Sequence, residues 1–159
     1  MPTTIPCLWF DGRAEQAAQH YTSVFPNSRI TNVTRYGPGM PLPEGTVLTV
    51  EFSLDGQEYL GLNGGPEYTF SEAVSFQIMC ADQDEVDHYW DRLTDGGEPG
   101  PCGWLKDRFG LSWQVVPTAL LELTQDPDPG RAQRATQAMM QMGKIIIADL
   151  ERAADQVPA

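Results

Sequence analysis

Side chains that could perform nucleophilic or metal-dependent chemistry are sparse in this sequence. It contains two histidines, His20 and His88, and both fall in segments where apolar residues recur at helical spacing. Its three cysteines, Cys7, Cys80 and Cys102, are widely spaced and form neither a CxxC metal motif nor a disulfide framework. We expect the three thiols to be reduced and mostly buried. We expect the two histidines to take part in helix packing. No Ser-His-Asp or Cys-His catalytic set can then be assembled.

Two carboxylates on predicted strands remain as candidate general bases. Glu51 alternates with apolar residues in a segment predicted to be a strand, residues 46–54, so it should lie on the opposite face from Val50 and Phe52. Glu58 lies near the start of the next predicted strand, which follows an Asp-Gly hairpin turn. Either carboxylate could remove a proton from a substrate only in a buried environment.

The composition and net charge of the chain indicate which classes of partner it can bind. The chain has 159 residues, of which 41% are hydrophobic, and a net charge of −12. So acidic a surface repels phosphate backbones and anionic lipid, and predicts neither nucleic-acid nor membrane binding. The start of the sequence lacks the basic and apolar blocks of a secretory signal, so the expected location is cytoplasmic.

Turn signals divide the sequence into two segments with the same predicted order of strand, helix and three strands. An offset of 68 residues aligns His20 with His88 and the first predicted strand with the fifth. The predicted elements are residues 5–10, 13–25, 28–36, 46–54 and 57–63, followed by residues 73–80, 82–93, 98–102, 103–106 and 111–116. Beyond Pro117 we predict helices with a methionine-rich apolar stripe in the core or at a dimer seam, and an extended piece at residues 144–147.

Three motifs resemble one known family. They are PCLWFDG at residues 6–12, LNGGP at 62–66 and CGWLKDRFGLSWQ at 102–114. Together they resemble the PhnB-like branch of the vicinal oxygen chelate superfamily, which often carries the label 3-demethylubiquinone-9 3-methyltransferase. The resemblance runs almost end to end, since DPDP at residues 126–129 and the final helices also fit that branch.

The resemblance implies an α+β fold in which two βαβββ modules form a curved eight-stranded cup, with C-terminal helices added. We expect a first module at residues 1–66, a second at 67–117 and a helical extension at 118–159, all within one structural domain. Many members of the superfamily are dimers, so a homodimer is expected.

Catalytic members of the superfamily hold one divalent ion with His and Glu ligands on the first, fourth, fifth and eighth strands. Residues 4–10 and 73–79 contain no His, Asp or Glu, and Gln114 stands where a glutamate is common on the eighth strand. Only Glu58 remains, so we predict no metal and no cofactor. Methyl transfer is not expected either, because no glycine cluster lies between an apolar strand and a helix start.

Without a metal, the surface of the cup is the candidate site. Tryptophans on strands can stack on a flat ligand, and polar neighbours can orient it. Lys106 could attract an anionic ligand, but we favour the alternative that it pairs with a nearby carboxylate. The candidate ligand-binding residues are Trp9, Thr49, Asn63, Gln77, Trp104, Lys106 and Gln114.

Three functions fit this set of residues. The first is metal-independent binding of a small, apolar or aromatic molecule by a homodimer. The second is a lyase or isomerase, or a metal-dependent glyoxalase-like or dioxygenase-like enzyme, with a rebuilt site. The third is an interaction protein whose cup is filled by its own tryptophans.

Overall fold

A computed structural model describes residues 1–156 of the chain. The chain divides into two compact units, Met1–Phe70 and Ser71–Ala159. The first unit contains β1 (Cys7–Phe10), α1 (Ala14–Val24), β2 (Arg29–Arg35), β3 (Val47–Leu54) and β4 (Gln57–Asn63). The second contains β5 (Ser75–Cys80), α2 (Gln83–Thr94), β6 (Glu98–Pro99), β7 (Trp104–Lys106), β8 (Ser112–Pro117), α3 (Thr118–Thr124), α4 (Pro129–Met139) and α5 (Ile147–Asp155). The predicted α+β class with two βαβββ modules is confirmed.

The sheet of the first unit has the strand order β1-β4-β3-β2, in which β1 runs parallel to β4 and the other pairs are antiparallel. Its residues alternate between two faces, as the sequence pattern predicts. Val50 and Phe52 are buried on the face that α1 covers, and the ring of Tyr21 from α1 lies 6.1 Å from that of Phe52. Glu51 points to the opposite face and is exposed.

The second unit repeats this arrangement with the order β5-β8-β7-β6, and β5 runs parallel to β8. Helix α2 buries Val86, Trp90 and Leu93. Its N-cap residue is Asp82, whose side chain accepts a hydrogen bond from the Glu85 amide. The other face of this sheet carries polar residues.

The helices after β8 pack around an apolar cluster formed by Val116, Leu120, Ile145 and Leu150. Met139 and Met142 pack against the cluster, so these two residues of the methionine stripe, predicted to lie in the core or at a dimer seam, contact the core. The last three residues of the predicted extension, 157–159, lie outside the described residues. Across the described part of the chain, no helix is long and apolar enough to cross a membrane.

Three local predictions were wrong in part. The strand expected at residues 98–102 covers only Glu98–Pro99, and Cys102 lies in the loop that follows, with φ +58°. In the extended piece expected at residues 144–147, Ile146 has an extended backbone, but α5 already begins at Ile147. Of the three free thiols, Cys80 is buried and Cys102 half-buried, but Cys7 is exposed.

Candidate functional site

The polar face of the second sheet brings four of the predicted binding residues together. In the strand register, Trp104 and Gln77 both lie opposite Gln114, while Lys106 lies opposite Ser112. Residues that face each other across neighbouring strands point to the same side of a sheet. These side chains therefore share the face that α2 leaves uncovered.

A pocket of about 470 Å³ lies at this face. We call it the Trp104 pocket. Its apolar lining comes mainly from Trp104 on β7, from Pro99 at the end of β6 and from Pro101 in the loop that follows. The Gly100 amide donates to the Trp104 carbonyl at 2.8 Å, and the Trp104 amide donates to the Pro101 carbonyl at 3.0 Å, so the loop turns back tightly on β7. Its lining residues are Glu72, Glu98, Pro99, Gly100, Pro101, Cys102, Trp104, Leu105, Lys106 and Ser112.

The one lysine of the Trp104 pocket is paired. Lys106 forms an ion pair with Glu72, so the predicted pairing with a nearby carboxylate is confirmed. The hydrogen bond from Lys106 lowers the pKa of the Glu72 carboxyl, and the same bond raises the pKa of Lys106, with a smaller contribution from the charge of Glu98. Because both partners are partly exposed, the pair orients the two side chains but adds little stability.

Ser112 stands out among the polar residues of the pocket. It is 1% exposed, and its Oγ has no hydrogen-bond partner within the described residues. A buried hydroxyl without a partner costs free energy, and such groups are rare in folded proteins.

Next to the pocket, the glutamines form a small network of their own. Gln114 donates from Nε2 to the Ser75 hydroxyl at 2.8 Å and accepts from Gln77 Nε2 at 3.3 Å. Neither glutamine lines the Trp104 pocket, but both lie on the same sheet face. They could bind a ligand that extends beyond the pocket along β5 and β8.

The predicted residues of the first unit, Trp9, Thr49 and Asn63, make contacts within that unit. The indole of Trp9 donates to the Gly65 carbonyl at 2.8 Å and meets the ring of Tyr68 edge-on, with ring centroids 4.9 Å apart. It also lies so close over Gly64 that a Cβ there would be 2.4 Å from the ring. Thr49 shares a hydrogen bond with the Thr34 hydroxyl on the neighbouring strand.

Asn63 is a correction to the predicted binding set. It is 4% exposed and points to the α1 side of its sheet. Its Oδ1 accepts from the Ala14 amide at 2.9 Å, at the start of α1, and its Nδ2 donates to the Val47 carbonyl at 3.0 Å. The amide is thus used to hold the helix and sheet together and does not face a ligand surface.

The candidate general bases Glu51 and Glu58 are both exposed on the face of the first sheet opposite α1. Each lies across from a different residue of the neighbouring strand, Glu51 from Leu60 and Glu58 from Ser53. Neither lines a described pocket. The structure therefore supplies neither carboxylate with the enclosed surroundings that a general base needs.

The residues present do not fit the divalent ion of the catalytic members. Within residues 1–156, no three His, Cys, Asp or Glu side chains lie close enough together to hold a metal. His20 and His88 both lie on helices, in α1 and α2, as predicted. Asn63 and Gln114 offer amides that are already hydrogen-bonded, and a neutral amide is a poor ligand for such an ion.

The structure fits S-adenosylmethionine no better. Class I methyltransferases bind this donor at a glycine-rich turn between a parallel strand and a helix. Here the strand-to-helix connections are residues 11–13 and 81–82, with Gly12 as their only glycine.

Glu72, Glu98, Ser112 and the proline-rich wall were not among the predicted site residues. Ser112 could have been found, because it lies two positions before Gln114 and so on the same strand face. Glu72 lies in a loop, where no periodicity shows which way a side chain points.

The fold is that of the vicinal oxygen chelate superfamily. Protein PA1353 from Pseudomonas aeruginosa is similar with a TM-score of 0.61 at 16% identity, over 74% of this chain and 98% of that chain. The fosfomycin resistance protein FosX from Mesorhizobium loti is similar with a TM-score of 0.50 at 12% identity, over 72% of this chain and 90% of that chain. At such low identity these likenesses show the fold alone.

The chain belongs to the 3-demethylubiquinone-9 3-methyltransferase family, whose sequence model matches residues 2–116. A PhnB protein from Bacillus cereus that carries the same methyltransferase name is 32% identical, with a TM-score of 0.65, over 73% of this chain and 99% of that chain. No curated protein matches the sequence. The resemblance predicted a match almost end to end, but the family match stops before α3.

Proposed function

We propose that this protein binds a small, uncharged, mainly apolar or aromatic molecule in the Trp104 pocket, without a metal ion. The observation that carries the proposal is the pocket itself. Its volume of about 470 Å³ lies in the range typical of ligand sites. Apolar walls from Trp104 and two prolines surround a few polar groups, which is the usual composition of a site for a small molecule.

The charges around the pocket support an uncharged ligand. Glu72 compensates the charge of Lys106, and Glu98 adds a second carboxylate nearby. An anionic ligand would compete with Glu72 for Lys106 and would also meet the repulsion of a chain with a net charge of −12. The ligand that costs least to bind carries a ring for Trp104 and a neutral hydrogen-bonding group.

Metal independence is supported by the residues and not by the absence of an ion. The described residues offer no set of three donors, and the amides on the relevant strands are engaged elsewhere. The proposal also includes a homodimer, which rests on the family resemblance, and a cytoplasmic location, which suits three free thiols.

Two measurements test the proposal. Native mass spectrometry of the purified protein should show a dimer without a divalent ion, and a co-purified organic molecule would add direct support. Calorimetric titration with 2-naphthol should show binding that Trp104→Leu weakens at least about fivefold, since the ring contributes stacking beyond its buried area. Tyr68→Leu is the matched control, because Tyr68 is an exposed aromatic residue of the other unit.

Two results would overturn the proposal. A divalent ion bound at one equivalent per chain would show that the residues were wrongly judged unable to hold a metal. Binding of 2-naphthol that Trp104→Leu leaves unchanged would place the ligand outside the Trp104 pocket.

A further inference from the structure

We infer that the segment between α4 and α5, residues 140–146, positions the wall of the Trp104 pocket and thereby sets its shape. We call this segment the strap. The inference rests on the proposed function for the meaning of the pocket, but the contacts that carry it can be tested without a ligand.

Two consecutive amides of the pocket loop are bonded to two consecutive carbonyls of the strap. The Cys102 amide donates to the Met142 carbonyl at 2.7 Å, and the Gly103 amide donates to the Gly143 carbonyl at 2.8 Å. Cys102 and Gly103 both have positive φ, at +58° and +84°. A non-glycine residue in this region is strained, and it persists where the surroundings hold it. The strap supplies that support from outside the loop.

Side-chain packing reinforces the same junction. Ile145 of the strap is fully buried, and its Cγ1 lies 3.2 Å from the position that a Cβ on Gly103 would occupy. On the sheet side, the Gly103 carbonyl accepts from the Val115 amide of β8 at 2.8 Å. Gly103 is therefore enclosed between β8 and the strap, and the wall cannot move without disturbing one of them.

The strap is in turn fastened to α2. Gln83 donates from Nε2 to the Ile145 carbonyl at 3.0 Å, and its Oε1 accepts from the Ile147 amide at 2.8 Å. Lys144 lies 3.2 Å from Asp87 Oδ1 and 3.4 Å from Asp91 Oδ1, both on α2. Support thus passes from α2 through the strap to the pocket loop.

The strap lies outside the part of the chain that the family match covers, which ends at residue 116. About three quarters of this chain already accounts for nearly the whole length of the Bacillus cereus relative. The wall of the Trp104 pocket is therefore braced here by a segment beyond the shared region. Its shape should distinguish this protein from relatives that end after the second module.

The test removes the contacts that join α2 to the strap without changing any residue that lines the Trp104 pocket. Gln83→Ala deletes its hydrogen bond to Ile145 of the strap and its hydrogen bond to Ile147, the first residue of α5. Lys144→Met removes the ion pairs while keeping an apolar stem. Lys144→Arg should restore the wild-type behaviour, because a guanidinium can still pair with the aspartates. Arg152→Ala is the control, since it removes an ion pair that lies within α5, between Arg152 and Asp149.

Hydrogen exchange of the Cys102 and Gly103 amides is the first readout. In Gln83→Ala these amides should exchange about tenfold faster, as expected from the loss of two partly buried hydrogen bonds. The second readout is the reaction rate of Cys102 with a small disulfide reagent in a Cys7→Ser background. Cys80 should not react with the reagent, because burial raises the pKa of its thiol to about 12. Thermal unfolding measures how much overall stability each variant loses.

Exchange that rises at Cys102 and Gly103 beyond the change in overall stability, with weaker binding of 2-naphthol, supports the inference. If the Cys102 and Gly103 amides of Gln83→Ala exchange at the wild-type rate, the inference is wrong, whatever the protein binds. A loosened loop that binds 2-naphthol as tightly as wild type also overturns it. If the loop loosens while the wild-type protein binds no 2-naphthol, the positioning role stands and the proposed function fails.

Discussion

The indole Nε1 of Trp113 on β8 donates a buried hydrogen bond to Asp107 Oδ2 at 2.9 Å, at the start of the turn that joins β7 to β8. The other oxygen of the same carboxylate accepts from the amides of Phe109 at 2.8 Å and Leu111 at 3.1 Å. Asp107 is 3% exposed. The longest motif of the family resemblance thus contains a carboxylate whose contacts hold a turn in shape.

The first prediction follows from these contacts. Asp107→Ala should destabilise the protein by about 3 kcal/mol, because it leaves buried N–H groups without an acceptor. Asp107→Asn keeps one oxygen and should cost about half as much. Chemical unfolding monitored by far-UV circular dichroism measures both.

Asp95→Ala is the control for this prediction, since Asp95 is largely exposed and pairs with Arg108 at 3.2 Å. Its cost should stay within about 0.5 kcal/mol. Equal effects of Asp107→Ala and Asp95→Ala would show that the buried carboxylate does not hold the turn.

The second prediction concerns the hydroxyl of Ser112. Since its Oγ is buried and finds no partner within the described residues, Ser112→Ala should raise the free energy of unfolding by about 1 kcal/mol. Ser75→Ala is the matched control, because the Ser75 hydroxyl accepts from Gln114 and its loss should lower stability. A destabilised Ser112→Ala variant would mean that this hydroxyl is satisfied in solution.

Sequence reasoning succeeded where alternation or helical spacing fixes which way a side chain points. It placed both histidines on helices and Glu51 on the sheet face opposite Val50 and Phe52. It failed at Asn63, which lies at the end of β4 and turns its amide to the start of α1. Polarity alone does not show whether an amide serves a ligand or the backbone.

The wall of the Trp104 pocket shows a second limit. Cys102 departs from the strand because of a positive φ, and the strap that holds it is some forty residues further along the chain. Neither a local turn nor a contact at that distance leaves a periodic pattern in one sequence. The motifs at residues 62–66 and 102–114 identified the family, yet the contacts of Asn63, Gly64 and Asp107 show that much of their content holds the fold.

The third prediction tests the close approach at Gly103. A Cβ there would lie 2.9 Å from the Val115 carbonyl oxygen, and the residue has φ +84°. Gly103→Ala should therefore cost about 2 kcal/mol or more, from backbone strain and from displacement of β8 or the strap. Thermal unfolding measures the loss.

Gly12→Ala separates the two causes. Gly12 has a similar φ of +77° but nothing within 4 Å of a Cβ, so its substitution should cost only about 1 kcal/mol. If both variants lost the same stability, the packing of Gly103 between β8 and the strap would contribute nothing.

The last prediction tests how charge selects the ligand. Glu72→Gln releases Lys106 from its partner, so the permanently anionic 2-naphthalenesulfonate should bind about two- to fivefold tighter than to wild type. Binding of neutral 2-naphthol should change much less. Glu44→Gln is the control, because it alters the net charge equally in an exposed loop of the other unit. Calorimetric titration of both probes measures the preference.

The pH dependence has a definite sign. Lys106 lowers the pKa of Glu72, so the pair is intact at neutral pH and is lost only as the pH falls through this lowered pKa. Wild-type protein should therefore keep its weak affinity for the sulfonate from neutral pH down to the usual range of carboxyl titration. It should gain affinity only below that range, where Glu72 becomes neutral as in Glu72→Gln.

If Glu72→Gln and Glu44→Gln raised sulfonate affinity equally, overall charge and not the Lys106–Glu72 pair would govern the choice of ligand.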